Sequence, residues 1–376
     1  MTKPIGIMAL AMTLATSLIS LVALAQERAI EFPDVPGYRT LVVDLHTHSV
    51  FSDGMVWPVI RVGEAERDGL DLLAVTEHLE YQPKSEDIPH PDRNRSFIVA
   101  SEHVETTGSE LIVINGAEIT RQLPLGHSNA VFVTDATALL VDDPMDAFRE
   151  ANRQGAFVFW NHPSYAVPDG VGRLADVHRQ LIVNGQLHGI EVANEYWYSA
   201  EALQIALDHD LAILGVSDIH GLIDWDYAVH DGAHRTVTLA FAEERSAEAV
   251  REALRANRTV AWMGDSLIGR EDVLMPLIQA SLTTSNVGRA AGLEFFEVTL
   301  TNTSDAPFDL RSVDGHRFFK QTSVIRIPSH SKIVLGVIGE TRSSFELQFE
   351  VLNAITAPET HPLLSLAIEV PAETGQ

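Results

Sequence analysis

The chain has 376 residues, with 52 Asp and Glu against 26 Lys and Arg, a net charge of −26, and 45% hydrophobic residues. That is the composition of a folded protein of one large domain or a large and a small one, and its acidity excludes nucleic-acid binding through a basic face. The absence of cysteine removes disulfides, thiolate metal sites and cysteine nucleophiles, so any metal must be held by carboxylates and the 16 histidines.

At the N-terminus, Lys3 precedes an apolar run from Ile5 to Ala25 that closes with Ala23-Leu24-Ala25. A charged start, an apolar middle and a small-residue end read as a secretory signal over residues 1–25, cleaved before Gln26. An uncleaved anchor is the alternative, since the run is long enough to span a bilayer. No later stretch has this character. The mature protein is therefore expected to be exported, periplasmic or secreted, with no membrane partner once the signal is removed.

Residues 40–270 alternate short apolar runs with amphipathic ones. Strands are predicted at Leu41–Leu45, Leu72–Thr76, Leu111–Ala117, Asn129–Val133, Ala156–Trp160, Gly189–Ala193, Ala212–Val216 and Thr236–Phe241. Helices are predicted at Pro58–Asp68, Pro144–Gln154, Ala200–Asp210 and Ala247–Asn257. Apolar strands separated by amphipathic helices indicate βα units and a parallel sheet. Polar residues at most strand ends favour a barrel with its site at the strand C-termini. Over 290–370 the texture changes to alternating or β-branched runs, Glu294–Asn302, Ser323–Ile327 and Phe345–Leu352, a small antiparallel β module. The join is expected within Arg270–Arg289.

His46 and His48 follow the first strand at a spacing that puts both imidazoles on one face. Asp218 and His220 repeat that geometry after another strand. Asp53 lies in the loop after the first strand, Glu77 and His78 close the second, Glu118 closes the third, His127 leads into the fourth and His162 ends the fifth. A lone histidine at a strand end is more often a hydrogen-bonded structural residue, Asp53-Gly54 by itself is a turn, and Glu118 a solvated strand end. Taken together these readings leave unexplained why nearly every strand ends in such a residue. His and carboxylate suit Zn, Mn and Fe, and nine such residues at one mouth, Glu77 aside, exceed the needs of a single ion.

The ordered set HTH with SDG (His46 to Gly54), TEH (Thr76 to His78), GAEIT (Gly116 to Thr120), GHSN (Gly126 to Asn129), NHP (Asn161 to Pro163) and SDIHG (Ser217 to Gly221) resembles the PHP superfamily of metal-dependent phosphoesterases. The resemblance covers Leu41 to Trp262 and implies a distorted (β/α)7 barrel with two or three divalent metal ions, commonly Mn, Zn or Fe. Carried over by position, it implies one ion on His46, His48, Glu118 and Asp218, a second on Glu118, His127 and His162, and a third on Asp53, His78 and His220. Asp53 stands where many members have His, and Glu77, where Asp is commoner, is expected behind the ligands. The signal, the WDY (Trp225–Tyr227) and HRTVTLAFAEERS (His234–Ser246) stretches and the β-rich tail look like the exported PHP-type phosphodiesterases, some of which hydrolyse organophosphate diesters.

What this implies is hydrolysis of a phosphodiester by a hydroxide held between two ions, with the third metal, or a proton donor near Asp218 and His220, aiding departure of the leaving alkoxide. The small-molecule phosphate ester would be drawn to the cations despite the acidic chain. Arg121 is a candidate to grip a phosphate oxygen, against the alternative of a surface ion pair. Tyr196-Trp197-Tyr198 and Trp225–Tyr227, on predicted loops, wall a pocket or cap the barrel. A phosphomonoesterase on the same site is the alternative activity, and a metal-binding protein without turnover the alternative class.

Overall fold

Leu72–Val75, Phe157–Trp160 and Ala212–Val216 contain no charged or strongly polar side chain and are buried along their whole length. Strands buried on both faces belong in the middle of a sheet covered by helices. The computed structural model, which describes residues 29–289, 295–339 and 344–370, places them there. The expected signal, residues 1–25, lies outside the described residues.

The first unit contains β1 (Arg39–Asp44), β2 (Leu72–Val75), β3 (Ile112–Thr120), β4 (His127–Val131), β5 (Phe157–Trp160), β6 (Gly189–Asn194), β7 (Trp197–Tyr198), β8 (Ala212–Val216), β9 (Val237–Ala242), β10 (Thr259–Met263) and β11 (Ser266–Gly269). Its helices are α1 (Pro58–Arg67), α2 (Arg95–Thr107), α3 (Pro144–Arg153), α4 (Asp176–Val183), α5 (Ala200–His209), α6 (Ile223–Asp226) and α7 (Ala247–Arg255). The strands form one curled sheet in the order β11-β10-β9-β1-β2-β3-β4-β5-β6, with β7 and β8 both on β6. This is the expected distorted barrel, but the sheet is mixed. β4 runs antiparallel to both β3 and β5, and β9 runs antiparallel to β1 and β10. Residues 121–126 are too few for a helical crossover between β3 and β4, so the chain must fold straight back.

The curl closes without a ladder between β8 and β9. The Thr238 hydroxyl instead takes the Gly215 N–H at 3.0 Å and donates to the Gly215 carbonyl at 2.8 Å. A Cβ on Gly215 would lie 2.7 Å from the Val237 carbonyl oxygen and 2.9 Å from the Ala261 Cβ, so this seam needs glycine. Ser199 and Ser246 cap α5 and α7 by accepting the N–H groups of Ala202 and Ala249.

The expected join is itself regular: α8 (Glu271–Ser281) runs directly into β12 (Leu282–Arg289), which precedes the anticipated start of the β module at 290. With β13 (Phe295–Asn302), β14 (Phe308–Ser312), β15 (Arg317–Phe318), β16 (Val324–Ile327), β17 (Lys332–Ile338), β18 (Phe345–Val351), β19 (Ala354–Ile355) and β20 (Leu363–Ile368), it makes two antiparallel sheets, β12-β13-β17-β15 and β16-β14-β18-β20. Burial alternates strictly along β16 and β20, as a sandwich with one wet face per sheet requires. The sandwich core (Val298, Phe308, Leu335, Phe349) is continuous through Leu274 and Leu277 of α8 with Trp262 and Leu267 of the barrel. β19 leaves the sandwich and pairs in parallel with β11, Leu267 opposite Ala354 and Ile268 opposite Ile355.

Candidate metal centre

The nine expected ligands converge at one mouth of the barrel. His46 and His48 follow β1 and bring their Nε2 atoms to 3.0 Å from each other. Asp218 Oδ1 stands 3.1 Å from both of these nitrogens. Glu118 lies inside β3, not at its end, because pairing with β4 extends that strand to Thr120. Its two oxygens face different histidines. Oε1 is 2.9 Å from His127 Nδ1, 3.5 Å from His162 Nε2 and 3.7 Å from His46 Nε2. Oε2 is 2.6 Å from His78 Nδ1 and 3.6 Å from His48 Nε2. Asp53 spans His220 Nε2 at 3.2 Å and His78 Nε2 at 3.4 Å.

Two of these side chains are aimed by left-handed backbone: Asp218 has φ 48° and His162 φ 26°. Such conformations are costly for residues with a Cβ and persist where the surroundings dictate them. Gly54 serves a different need. A Cβ there would sit 2.7 Å from the His48 carbonyl carbon and the Ser49 nitrogen, so the Asp53 loop packs against the HTH backbone only as glycine.

Glu118 Oε2, Asp218 Oδ1 and Asp53 Oδ1 are buried and accept no hydrogen bond, although imidazole nitrogens surround them. These three oxygens and the imidazole nitrogens beside them face shared space without a hydrogen bond between them, the arrangement of a cation's ligands. The electrostatics agree. Burial opposes ionisation of Glu118, but His78 and His46 hold its carboxyl well below the usual range. Asp218 and Asp53 are likewise held low against burial, chiefly by His46 and His48 and by His220 and His78. Burial pushes His48 down to about 4, while Glu118 and Asp53 overcome burial at His78 and carry it up to about 10. His46, His162 and His220 are raised as well. The cluster thus holds positive charge as protons, and divalent ions would replace those protons. Three groupings have ligand atoms within 4.8 Å of one another: His48, Asp53, His78 and His220; His46, His48 and Glu118; and His78, Glu118 and His127.

Several supporting residues were not singled out by sequence. Glu191, on the fully buried β6, sits 2.7 Å from His46 Nδ1 and accepts the His162 backbone N–H at 2.6 Å. Its signal was a charged residue alone in an otherwise apolar strand. Arg61 of α1 donates to the carbonyls of His48 (2.8 Å), Ile219 (3.3 Å) and Gly221 (2.5 Å), stitching the HTH segment to the SDIHG segment. Asn161 donates to Glu118 Oε1 at 2.9 Å and Asn194 to Asp218 Oδ2 at 3.2 Å. Glu77 lies behind the ligands as expected. It accepts the hydroxyls of Ser49, Ser52 and Ser96, and Ser52 in turn stands 3.3 Å from His48 Nδ1.

Arg121 is not aimed at the cluster. Its Nη2 is 2.8 Å from Glu80 and 2.7 Å from the Val141 carbonyl, and Nη1 faces the Asp142 carbonyl, so both Nη groups are engaged by its own loop's neighbours. The aromatic residues do face the site, although Trp197 and Tyr198 form a short strand against β6 and Ile223–Asp226 a helical turn, where loops were predicted. They line a cavity of about 920 Å³ that opens onto the cluster, together with Tyr165. A second cavity, of about 440 Å³, is lined by Arg121 and Trp160 and shares His127, His162 and Tyr165 with the first.

A barrel mouth lined with six imidazoles and three carboxylates, each with one buried oxygen that accepts no hydrogen bond, defines a metal-dependent hydrolase. Comparison with known proteins agrees. The chain is similar to a solved two-domain protein from Bacteroides vulgatus that contains a predicted PHP-like metal-dependent phosphoesterase, with 39% identity, 90% of this chain and 98% of that one covered, and a TM-score of 0.84. The chain belongs to the PHP-like metal-dependent phosphoesterases. A putative metal-dependent phosphoesterase from Bifidobacterium adolescentis is 19% identical over 48% of this chain and 87% of that one, with a TM-score of 0.35. Residues 281–367 match the family model DUF5001, an Ig-like domain. Among curated proteins no relative is found.

Proposed function

We propose that the protein is an exported phosphodiesterase acting on a small phosphodiester, of the kind found among organophosphate diesters. The observation that supports a diester over a monoester is the pair of cavities meeting at His127 and His162. A diester carries two substituents away from phosphorus, and each cavity offers one of them a place.

In this reading His46, His48, Glu118 and Asp218 hold one divalent ion, Glu118, His127 and His162 a second, and Asp53, His78 and His220 a third, the metals being Mn, Zn or Fe. When bound, such ions activate water near neutral pH and neutralise charge on the phosphoryl oxygens. Glu118 presents one oxygen to each side and so fixes the spacing of the ligand groups. Glu191 keeps the His46 proton on Nδ1 and frees Nε2 to face the site. His220 is the most open of the ligand histidines, and its Nδ1 faces the Asp218 carbonyl; its Nε2 would be a ligand when the third ion is bound, and without that ion would pass a proton to the departing alkoxide once Asp53 releases it. The aromatic walls offer the ester arms apolar faces to pack against. Export rests on the character of residues 1–25. Among the described residues no helix is long and apolar enough to cross a membrane.

The test is hydrolysis of bis(p-nitrophenyl) phosphate beside p-nitrophenyl phosphate by Mn-loaded mature protein, with Glu118→Gln and His162→Ala as controls. Diester preference lost in both variants is the expected result. Monoester preference would instead make the protein a phosphatase, and full activity in either variant would overturn the ligand set. For export, the N-terminus of the protein recovered from outside the cytoplasm should read Gln26.

A further inference from the structure

The larger cavity has an unusual lining. Away from the ligand cluster its lining includes the aromatic residues Tyr165, Tyr196, Trp197 and Trp225 and the carboxylates Glu195, Glu201 and Asp226, and among the described residues no Lys or Arg lines it. The aromatic rings are open to solvent, Trp197 by 76% and Trp225 by 65%, far more than packing residues would be. Large exposed aromatic faces grouped at a cavity mark a binding surface.

The wall is also held rigidly. Glu195 turns the chain between β6 and β7 with φ 50°. Its N–H donates to the Val216 carbonyl at 3.1 Å and its own carbonyl accepts the Thr236 hydroxyl, so the left-handed turn is pinned on both sides. Tyr196 packs on the buried Tyr227 with ring centroids 4.8 Å apart. Trp225 lies against Gly221, where a Cβ would come 3.0 Å from its ring, which seats the indole directly beside the SDIHG segment. Aromatic faces beside uncompensated carboxylates attract an organic cation. The cluster takes the phosphate, and the acidic aromatic wall begins just beyond it.

We propose that the substrate is a phosphodiester one of whose alcohols bears a choline-like quaternary ammonium, held against Tyr196, Trp197 and Trp225 and balanced by Glu195 and Asp226. This rests on the phosphodiesterase reading above and names its substrate class. Hydrolysis adds the water oxygen to phosphorus, breaks the P–O bond to one alcohol and returns a proton to that alcohol, leaving the ammonium group unchanged.

The test pairs binding with turnover. Choline and its neutral isostere 3,3-dimethyl-1-butanol are titrated into metal-free and Mn-loaded full-length protein by tryptophan fluorescence. In parallel, p-nitrophenyl phosphorylcholine and p-nitrophenyl 3,3-dimethylbutyl phosphate are compared as substrates. Choline and its ester are expected to be preferred by about tenfold or more. Trp225→Ala and the near-isosteric Glu195→Gln/Asp226→Asn pair should each bring both ratios toward one. Equal binding of the two alcohols, ratios unmoved by either variant, or saturation by a methyl glycoside in place of choline would overturn the proposal. Choline preference without turnover of any diester would sink the phosphodiesterase reading and leave the cation site standing. Turnover of bis(p-nitrophenyl) phosphate without choline preference would do the reverse.

Discussion

Glu191 Oε1 lies 2.7 Å from His46 Nδ1, and neither side chain is exposed to solvent. The carboxylate decides which ring nitrogen of His46 faces the cluster, and its other oxygen holds the His162 backbone. Glu191→Ala should weaken Mn affinity by about 10–100-fold, and Glu191→Gln by less. Competition against a fluorescent chelator reads this directly. Unchanged affinity would mean that packing alone orients His46.

Arg61 is buried, paired with Glu64 at 2.6 Å, and bonded to three carbonyls of two ligand-bearing segments. Removing it strands Glu64 and unties those segments. Arg61→Ala should cost about 3–5 kcal/mol in urea unfolding. Arg61→Lys keeps the charge but not the planar fork, and should fall between. A loss under about 1 kcal/mol for the alanine variant would contradict this role.

His178 and His188 predict an acid limit of stability. Each takes a backbone N–H on Nδ1, from Ala175 at 3.2 Å and Val158 at 3.0 Å, and donates Nε2–H to a carbonyl. Both rings are therefore neutral in the fold. Burial lowers both, His188 from 6.5 to about 4. Between those values the unfolded chain binds more protons than the folded one, so stability falls as pH falls. The limiting slope is about 1.4 kcal/mol per pH unit for each residue. Denaturation of the Mn-loaded protein from pH 7 to pH 4.5 should be shallower in His178→Gln/His188→Gln. Parallel profiles would show that neither ring is protonated on unfolding.

Metal loading should stabilise the fold and expel protons. His46, His78, His162 and His220 all hold protons more tightly than a free imidazole, and a ligating nitrogen must give its proton up. Calorimetric titration with Mn²⁺ at pH 7 in buffers of different ionisation heat should show net proton release. At 100-fold excess over Kd, each ion adds about 2.7 kcal/mol of stability, which thermal melts with and without chelator measure. Identical melts would argue against a cation at this cluster.

Much of this was readable from the chain because its signals were local. β2, β5 and β8 are apolar throughout and most other barrel strands are apolar at their centres, and His46, His48, Glu118, Asp218 and the others stand at or near the strand ends. The structure brings all nine together. What escaped depended on partners distant in sequence. Arg61 looks like any helix arginine until the Ile219 and Gly221 carbonyls arrive beside it. Arg121, near Glu118 in sequence, is captured by Glu80 and the Val141 carbonyl. α2 (RSFIVASEHVETT) buries only Ser96, Val99 and Ala100, too narrow a stripe to announce a helix. The antiparallel placing of β4 was implicit in the six residues before it, a spacing that admits no crossover.

The two residues of β19 deserve a consequence of their own, because they occupy the hydrogen-bonding side of β11 that would otherwise end the barrel sheet. An open strand edge is a template on which a second chain can add. A barrel ending before residue 282 would bare that edge together with the apolar face of α8 at Leu274 and Leu277. Such a fragment should self-associate on a sizing column more than the whole chain does. On that result the C-terminal domain is a guard against misassembly of its neighbour.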